Sequence, residues 1–263
     1  MYNFIDTHCH LNFKDFDADL HQILDSARQQ GIQTIVIPGV DLDSSKKAIS
    51  LAEEFDGLYA AVGIHPNYAN LLDGKSLQIL KELCSNPKVV AVGEIGLDFY
   101  RDYVTQDEQM AALLHQLDLA QEFHLPIILH SRNAESILLN ELKKRTNSSG
   151  MCFSGVFHAY EGDLSTALEA IKMGFLIGVS GQITYTKKPE FLSINAALPL
   201  SSLLLETDSP YLTPEPFRGK RNEPANIPVI AKKVCSLHDI EMIQLAKITT
   251  ENAFKLFQLE AGS

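Results

Sequence analysis

The chain carries, close to its start, the stretch FIDTHCHL (residues 4–11), in which two histidines stand two residues apart after a short apolar run. Side chains two apart on a β-strand project to the same side. The spacing therefore predicts a strand that presents Asp6, His8 and His10 together, whereas a helix would turn residues two apart to nearly opposite faces. Neutral imidazole is a common ligand for zinc, manganese, iron and nickel. The pattern indicates a metal site rather than two ordinary histidines.

Eight short apolar segments follow one another along the chain, separated by segments with helical spacing. The predicted strands are residues 2–6, 34–37, 59–64, 89–92, 126–129, 155–157, 175–179 and 203–206. They lack polar alternation, so we expect them to be buried on both faces, as parallel strands are. The pattern predicts an α/β fold, a (β/α)8 TIM barrel with an extra C-terminal helix, as one domain over residues 1–263. An open doubly wound sheet is disfavoured because no glycine-rich loop follows the first strand.

Candidate functional residues follow six of the predicted strands, at the ends where barrels collect their active-site groups. These are His8 and His10 after the first strand, His65 after the third, Glu94 after the fourth, His130 after the fifth, His158 after the sixth and Asp208 after the eighth. Random placement of polar residues would not put all of them there. We therefore favour a shared site over the alternative that they are solvated loop residues.

Four of these imidazoles, those of His8, His10, His130 and His158, together with the two carboxylates are more ligands than one catalytic ion needs, since a catalytic zinc usually takes three protein ligands and water. The set therefore suggests two divalent ions with one shared carboxylate. Two ions about 3.5–4 Å apart form the clamp that hydrolyses phosphate esters.

Composition narrows the class of protein. Net charge is −11, from 22 Lys and Arg against 33 Asp and Glu, which argues against a protein that coats nucleic acid with a basic surface. A locally basic, metal-loaded pocket stays compatible with this charge. The four cysteines are scattered, as in a reduced cytoplasmic protein. Without a signal peptide or an apolar run of about 18 residues, we expect a cytoplasmic monomer with no membrane partner.

Seven stretches of the sequence resemble the TatD family of metal-dependent hydrolases, in the amidohydrolase-like barrel group. They span nearly the whole chain in order: FIDTHCHL (4–11), GIHP (63–66), VGEIGLDFYRD (92–102), PIILHSR (126–132), GVFH (155–158), LLETDSPYL (204–212) and RGKRNEP (218–224). The resemblance implies hydrolysis of phosphodiester bonds in single-stranded DNA from the 3′ end, and of RNA as a further substrate.

The resemblance also implies how the candidate residues share the work. One metal is held by His8, His10, Glu94 and Asp208, and a second by Glu94, His130 and His158, so that Glu94 bridges the two. Asp208 also orients or deprotonates the attacking water. His65 is expected near the substrate phosphate.

A basic loop follows the last predicted strand, formed by Arg218, Lys220 and Arg221. In an acidic chain, such a cluster beside metal ions suits phosphate contacts, although an ordinary solvated charge run is the alternative. Tyr211 and Phe217 could stack on bases, or they could be packing residues. Residues 158–162 read HAYEG, where the family usually has HCFSG, so Glu161 puts a carboxylate close to the expected polyanion. This departure concerns substrate preference more than the metal site.

Two other readings remain open. The same barrel and metals could cleave an ester, amide or lactone, as an aminoacyl-tRNA deacylase or lactonase-like enzyme would. Many such relatives place a carboxylated lysine at the end of strand four, where this chain has Glu94. A non-catalytic metal-binding scaffold is the third reading, and the complete ligand set argues against it. The nitrogen ligands favour Zn, Mn, Fe or Ni, whereas the resemblance suggests Mg, so the identity of the metal stays open.

Overall fold

The computed structural model describes residues 2–150 and 152–259 of the chain. Its sheet contains eight strands, each paired in parallel with the next along the sequence. The strands are β1 (Phe4–Asp6), β2 (Ile32–Pro38), β3 (Leu58–Val62), β4 (Val89–Asp98), β5 (Ile127–Arg132), β6 (Gly155–Phe157), β7 (Phe175–Val179) and β8 (Leu203–Leu205). They form a nearly closed barrel with helices between them, which confirms the predicted (β/α)8 fold.

Helices alternate with the strands. They are α1 (Leu20–Gln29), α2 (Leu42–Glu54), α3 (Gly74–Leu83), α4 (Gln106–Phe123), α5 (Glu135–Ser149), α6 (Leu164–Lys172), α7 (Pro189–Ala197), α8 (Ile227–His238) and α9 (Met242–Phe257). Capping boxes open α2, α3 and α4, where Asp41, Asp73 and Thr105 accept from the backbone N–H three residues on. Two helices follow β8, which accounts for the predicted extra C-terminal helix. No helix in the described residues has the length and apolar character needed to cross a bilayer.

The barrel interior is filled by apolar side chains that alternate with outward-facing ones along the strands. One buried cluster unites Ile5, Val36, Ala61, Ile128, Val156 and Leu204 from six strands. Phe257 and Leu259, at and just beyond the end of α9, join the same cluster. The C-terminal segment therefore closes the barrel at the starts of the strands, and the opposite end is left for polar residues.

The seam between β1 and β8 is closed by backbone hydrogen bonds that continue past both strands. The N–H of Thr7 donates to the carbonyl of Leu205 at 3.1 Å, and the N–H of Asp208 donates to the carbonyl of His8 at 2.8 Å. The N–H of His10 donates to the carbonyl of Ser209 at 2.8 Å. The seam thereby brings the residues after β1 beside those after β8.

Strands β4 and β5 run further than predicted, because their pairing continues to Asp98 and Arg132. Gly96 makes this possible: its φ is +146°, and a Cβ there would lie 1.9 Å from the carbonyl oxygen of His130. Glu94 and His130 therefore lie within strands rather than after them, on backbone fixed by the sheet.

Candidate metal centre

His8 and His10 converge at the end of the barrel where the strands finish. Their Nε2 atoms are 3.2 Å apart, and both side chains are buried. Two nitrogens about 2.0–2.1 Å from one ion lie about 2.8–3.4 Å apart at bond angles of about 90–109°. The pair is therefore spaced to bind a single cation.

Asp6 does not share this face as the spacing predicted. Its carboxylate accepts hydrogen bonds from the backbone N–H of Thr207 at 2.9 Å and from the Thr207 hydroxyl at 2.6 Å. The reason is that β1 ends at Asp6, so strand alternation does not extend to the histidines. Asp6 instead ties β1 to the segment after β8, and burial raises its pKa to about 8 despite those hydrogen bonds.

Glu94 lies between two sets of histidines. Its Oε2 atom is 3.4 Å from Nε2 of His8 and 3.7 Å from Nε2 of His10. Its Oε1 atom is 2.8 Å from Nδ1 of His130 and 3.7 Å from Nε2 of His65. Each carboxylate oxygen thus faces a different group of imidazoles, which is the geometry that a bridging ligand requires.

Asp208 stands across the cluster from Glu94. Its Oδ1 atom lies 3.7 Å from Nε2 of His8, 3.5 Å from Nε2 of His10 and 3.6 Å from Nε2 of His158. The backbone of Asp208 has a φ of 55°, a left-handed conformation that few non-glycine residues adopt. The hydrogen bond from its N–H to His8 holds the side chain over the histidines.

His158 is oriented by a carboxylate that the sequence reading did not single out. Oε1 of Glu206 lies 2.8 Å from Nδ1 of His158 and also accepts from the N–H of Ala159 at 2.6 Å. With Nδ1 turned to Glu206, Nε2 faces the cluster, which is how a second carboxylate commonly positions a metal-binding histidine. The sequence feature that could have identified Glu206 is the ETD motif, in which Glu206 precedes Asp208 by two residues.

Asp98 is a second carboxylate that sequence reasoning missed. Its Oδ2 atom lies 3.4 Å from Nε2 of His130, and its Oδ1 atom accepts from the N–H groups of Tyr100 and Arg101 at 3.0 and 3.1 Å. Burial works against ionisation of Asp98, but His130 outweighs it and lowers the pKa to about 2. Asp98 therefore fixes both a histidine of the cluster and the loop beside it.

His65 is poised to donate a hydrogen bond rather than to bind a cation. Its Nδ1 atom accepts from the N–H of Asn67 at 3.0 Å, so the proton of the neutral ring resides on Nε2. Burial and the nearby His130 lower the pKa of His65 to about 3, which keeps the ring neutral. The Nε2–H group faces the cluster 3.7 Å from Glu94.

The cluster concentrates acidic side chains. It contains four carboxylates, those of Glu94, Asp98, Glu206 and Asp208, and within the described ranges their ion-pair partners at up to 4.0 Å are histidines alone. Burial lowers the pKa of His158, but Glu206 and Asp208 outweigh it and raise the pKa to about 10. Buried carboxylates need compensating positive charge, so the donor set fits divalent cations in place of these protons.

A cavity of about 390 Å³ opens over the cluster. Its walls include Tyr68, Arg101, Arg132 and Tyr211 beside the candidate ligands. Arg101 lies in the loop between β4 and α4, and Arg132 is the last residue of β5. Neither is among the site residues predicted from the sequence.

The predicted basic loop lies outside the lining described for this cavity. Arg221 forms a bidentate ion pair with Asp19 at 2.9 and 2.6 Å and a further pair with Glu223 at 3.1 Å. Arg218 donates to the carbonyl of Thr213 at 3.0 Å. Phosphate contacts by Arg218 and Lys220, which is exposed, stay a prediction; the charge of Arg221 is already matched by carboxylates.

Glu161, the residue that departs from the family pattern, is exposed and accepts a hydrogen bond from the side chain of Gln182 at 2.7 Å. Phe217 is 37% exposed and Tyr211 55% exposed, and of these two Tyr211 is the one found in the cavity lining.

The chain matches the family model described as TatD related DNase over residues 5–258. It is 38% identical to an uncharacterised metal-dependent hydrolase, YabD, of Bacillus subtilis over 97% of this chain and 98% of the relative. It is 32% identical to the 3′-5′ ssDNA/RNA exonuclease TatD of Cronobacter sakazakii over 94% of this chain and 95% of that protein. The crystal structure of the TatD homologue YjjV from Escherichia coli superposes with a TM-score of 0.91 at 36% identity, over 98% of both chains. The protein therefore belongs to the TatD family of metal-dependent hydrolases.

Proposed function

We propose that this protein is a divalent-metal-dependent 3′–5′ exonuclease that hydrolyses phosphodiester bonds in single-stranded DNA, with RNA as a second substrate. The observation that carries the proposal is the position of Glu94, whose two oxygens face separate sets of histidines. The Cronobacter relative with that activity supports the choice of substrate. With its cysteines unpaired in the described residues, we infer a cytoplasmic location, and we propose that the protein acts as a monomer.

The residues present fit two cations. His8, His10, Glu94 and Asp208 would hold one, and Glu94, His130 and His158 would hold the other. When bound, such ions lower the pKa of water and neutralise charge on phosphoryl oxygens. The spacing of His8 and His10, and the four carboxylates paired with histidines, support this assignment.

The protonation states of Asp208 and His65 suit these two residues to different roles in the reaction. Asp208 is ionised, because its histidine neighbours outweigh burial and lower its pKa, so its carboxylate can accept the proton of the attacking water. His65 presents a neutral Nε2–H group to the cavity, so it can donate to a non-bridging phosphate oxygen. Arg101 and Arg132 add positive charge to the cavity wall.

Labelled oligonucleotides test the proposal directly. The metal-stripped protein is restored with Mg²⁺, Mn²⁺, Zn²⁺ or Ni²⁺ and incubated with single strands labelled at the 3′ or the 5′ end. We expect the 3′ label to be released as a mononucleotide, while the 5′ label passes through a ladder of shortening products. An aminoacyl ester is assayed in parallel. If the protein hydrolyses that ester and leaves the oligonucleotides intact, the nuclease proposal is wrong and the same site is that of an ester hydrolase.

A further inference from the structure

Three of the six arginines in the chain lie without a carboxylate within 4.0 Å in the part that the structure describes. These are Arg101, Arg132 and Arg218, and each guanidinium instead faces a tyrosine ring. All three occupy the end of the barrel that carries the metal centre. The other three are paired with acids: Arg28 with Asp25, Arg145 with Asp118 and Arg221 with Asp19. In a chain of net charge −11, three unmatched cations at one end indicate an anionic ligand there.

Of the three, Arg132 combines a close contact with a tyrosine ring and a position in the cavity lining. Its guanidinium carbon lies 3.8 Å from the ring centroid of Tyr100, a stacking distance. Arg132 lines the cavity, and the ring of Tyr100 is not among the described groups that do. Arg132 is exposed as well as part of the lining, so its guanidinium both packs on the ring and is accessible to a ligand in the cavity.

Arg101 lies beside this stack on a loop fixed to the metal centre. Its Nη1 group donates to the hydroxyl of Tyr103 at 3.2 Å. The carboxylate of Asp98, which also faces His130, accepts from the backbone N–H groups of Tyr100 and Arg101. The wall that carries both arginines is thus held at a set position relative to the candidate ligands.

We propose that Arg132, backed by Tyr100, stacks on the base of the terminal nucleotide, and that Arg101 contacts that nucleotide's phosphate. Guanidinium planes stack on unpaired bases with little regard to sequence. The cavity, about 390 Å³, is at the lower end of the range of about 300–1,000 Å³ for enclosed ligands, so it suits one nucleotide rather than a length of strand. The inference rests on the proposed nuclease function, and it names the part of the substrate that the cavity recognises.

The test compares two single strands that differ only in their 3′-terminal residue, which is either a normal nucleotide or an abasic one. Both carry a phosphorothioate at the last linkage to slow hydrolysis, and dissociation constants are measured by fluorescence anisotropy with Mg²⁺ present. We expect the wild-type protein to bind the strand with the terminal base at least about 5-fold more tightly, the effect of one stacked base.

Variants separate stacking from charge. Arg132→Lys keeps the charge but lacks the planar group, so the preference for the terminal base should vanish while the salt dependence of binding persists. Tyr100→Ala should weaken the preference and Tyr100→Phe should retain it. Arg101→Ala should weaken binding of both strands equally and lower the salt slope by about 0.7. Tyr2→Ala and Lys88→Ala, at the other end of the barrel, serve as matched controls and should change neither constant.

The outcomes distinguish the subsite from the enzyme. If the wild-type protein releases the 3′ label but binds both strands equally, or if Arg132→Lys retains the preference for the base, the subsite is wrong and the nuclease stands. If the wild-type protein neither cleaves nor binds single strands, both proposals fail.

Discussion

Oε1 of Glu206 lies 2.8 Å from Nδ1 of His158, and both side chains are buried. The contact turns Nε2 of His158 toward Asp208 and Glu94, at 3.6 and 3.9 Å. A carboxylate outside the candidate ligand groups therefore sets the direction of a histidine within them. Carboxylate–histidine pairs of this kind usually tune metal affinity.

Replacing Glu206 should weaken metal binding without removing a ligand. Glu206→Gln keeps the size of the side chain but loses the charge that raises the pKa of His158. We expect metal affinity to fall about 10–100-fold, and the pKa of His158 in the metal-free protein, followed by NMR, to fall. Glu223→Gln, a charge loss in the loop after β8, is the matched control. Unchanged metal affinity and an unchanged His158 pKa would show that Glu206 only fills space.

Asp208→Asn should abolish most hydrolysis while the fold stays intact. The amide keeps the size of the side chain but can neither ligate as an anion nor accept the water proton. We expect kcat to fall by about 10²–10⁴-fold, the usual value of a general base, with an unchanged circular dichroism spectrum. Asp56→Asn, just before β3 at the opposite end of the barrel, controls for the chemistry of the substitution. Near-wild-type turnover in folded Asp208→Asn would remove the assigned role.

The metal-free protein should lose stability as pH rises. Although burial opposes it, Asp98 and Glu94 raise the pKa of His130 to about 9, and Glu206 and Asp208 raise that of His158 to about 10. A histidine whose pKa is raised in the folded protein stabilises the fold fully at pH values below its unperturbed pKa of about 6.5. This stabilisation is lost as the pH rises through the pKa of the histidine in the folded protein. We expect the Tm in EDTA to fall between about pH 7 and 10, and saturating metal to suppress the fall because ligating imidazoles are already neutral. His158→Gln should show a shallower fall, and a flat Tm in EDTA would contradict these protonation states.

The residues of the basic loop should have two different roles. Arg221 is bound by Asp19 and Glu223, so Arg221→Ala should lower Tm and leave the salt dependence of KM unchanged. If Arg218 and Lys220 contact phosphates, their joint replacement by alanine should raise KM and lower the salt slope by about 0.7 for each lost contact. An unchanged slope in that double variant would assign the loop to ordinary solvated surface.

The fold was predictable because its evidence is local. Continuous apolar runs such as those at β6 and β7 indicate strands that are buried on both faces. Both strands were predicted with the bounds that the structure shows. The convergence of His8 and Asp208 followed from the rule that parallel strands end at one face, whereas Glu94 joins them from within β4. The relation between strand order and site position thus needs no knowledge of side-chain packing.

What escaped prediction depends on contacts between distant residues. Arg221 looked like a free cation in the sequence, because its partner Asp19 is 202 residues away. Glu206 looked like the end of a buried strand, since its contact with His158 spans two strands that are not adjacent in the sheet. Asp6 was predicted from strand alternation to face the same side as His8 and His10, but β1 ends at Asp6. Its carboxylate instead accepts a hydrogen bond from the hydroxyl of Thr207 across the seam.

The central claim is that Glu94 joins two cations in one site. Metal stoichiometry of Glu94→Gln tests it most directly, by elemental analysis after dialysis against limiting metal, with His130→Ala analysed beside it. Loss of the bridge removes a ligand from both positions and the negative charge between two cations, so Glu94→Gln should lose occupancy at both, whereas His130→Ala should empty mainly one. A Glu94→Gln protein that keeps one tightly held ion and normal affinity for a second would show that Glu94 serves a single ion, and the shared two-metal site would be wrong.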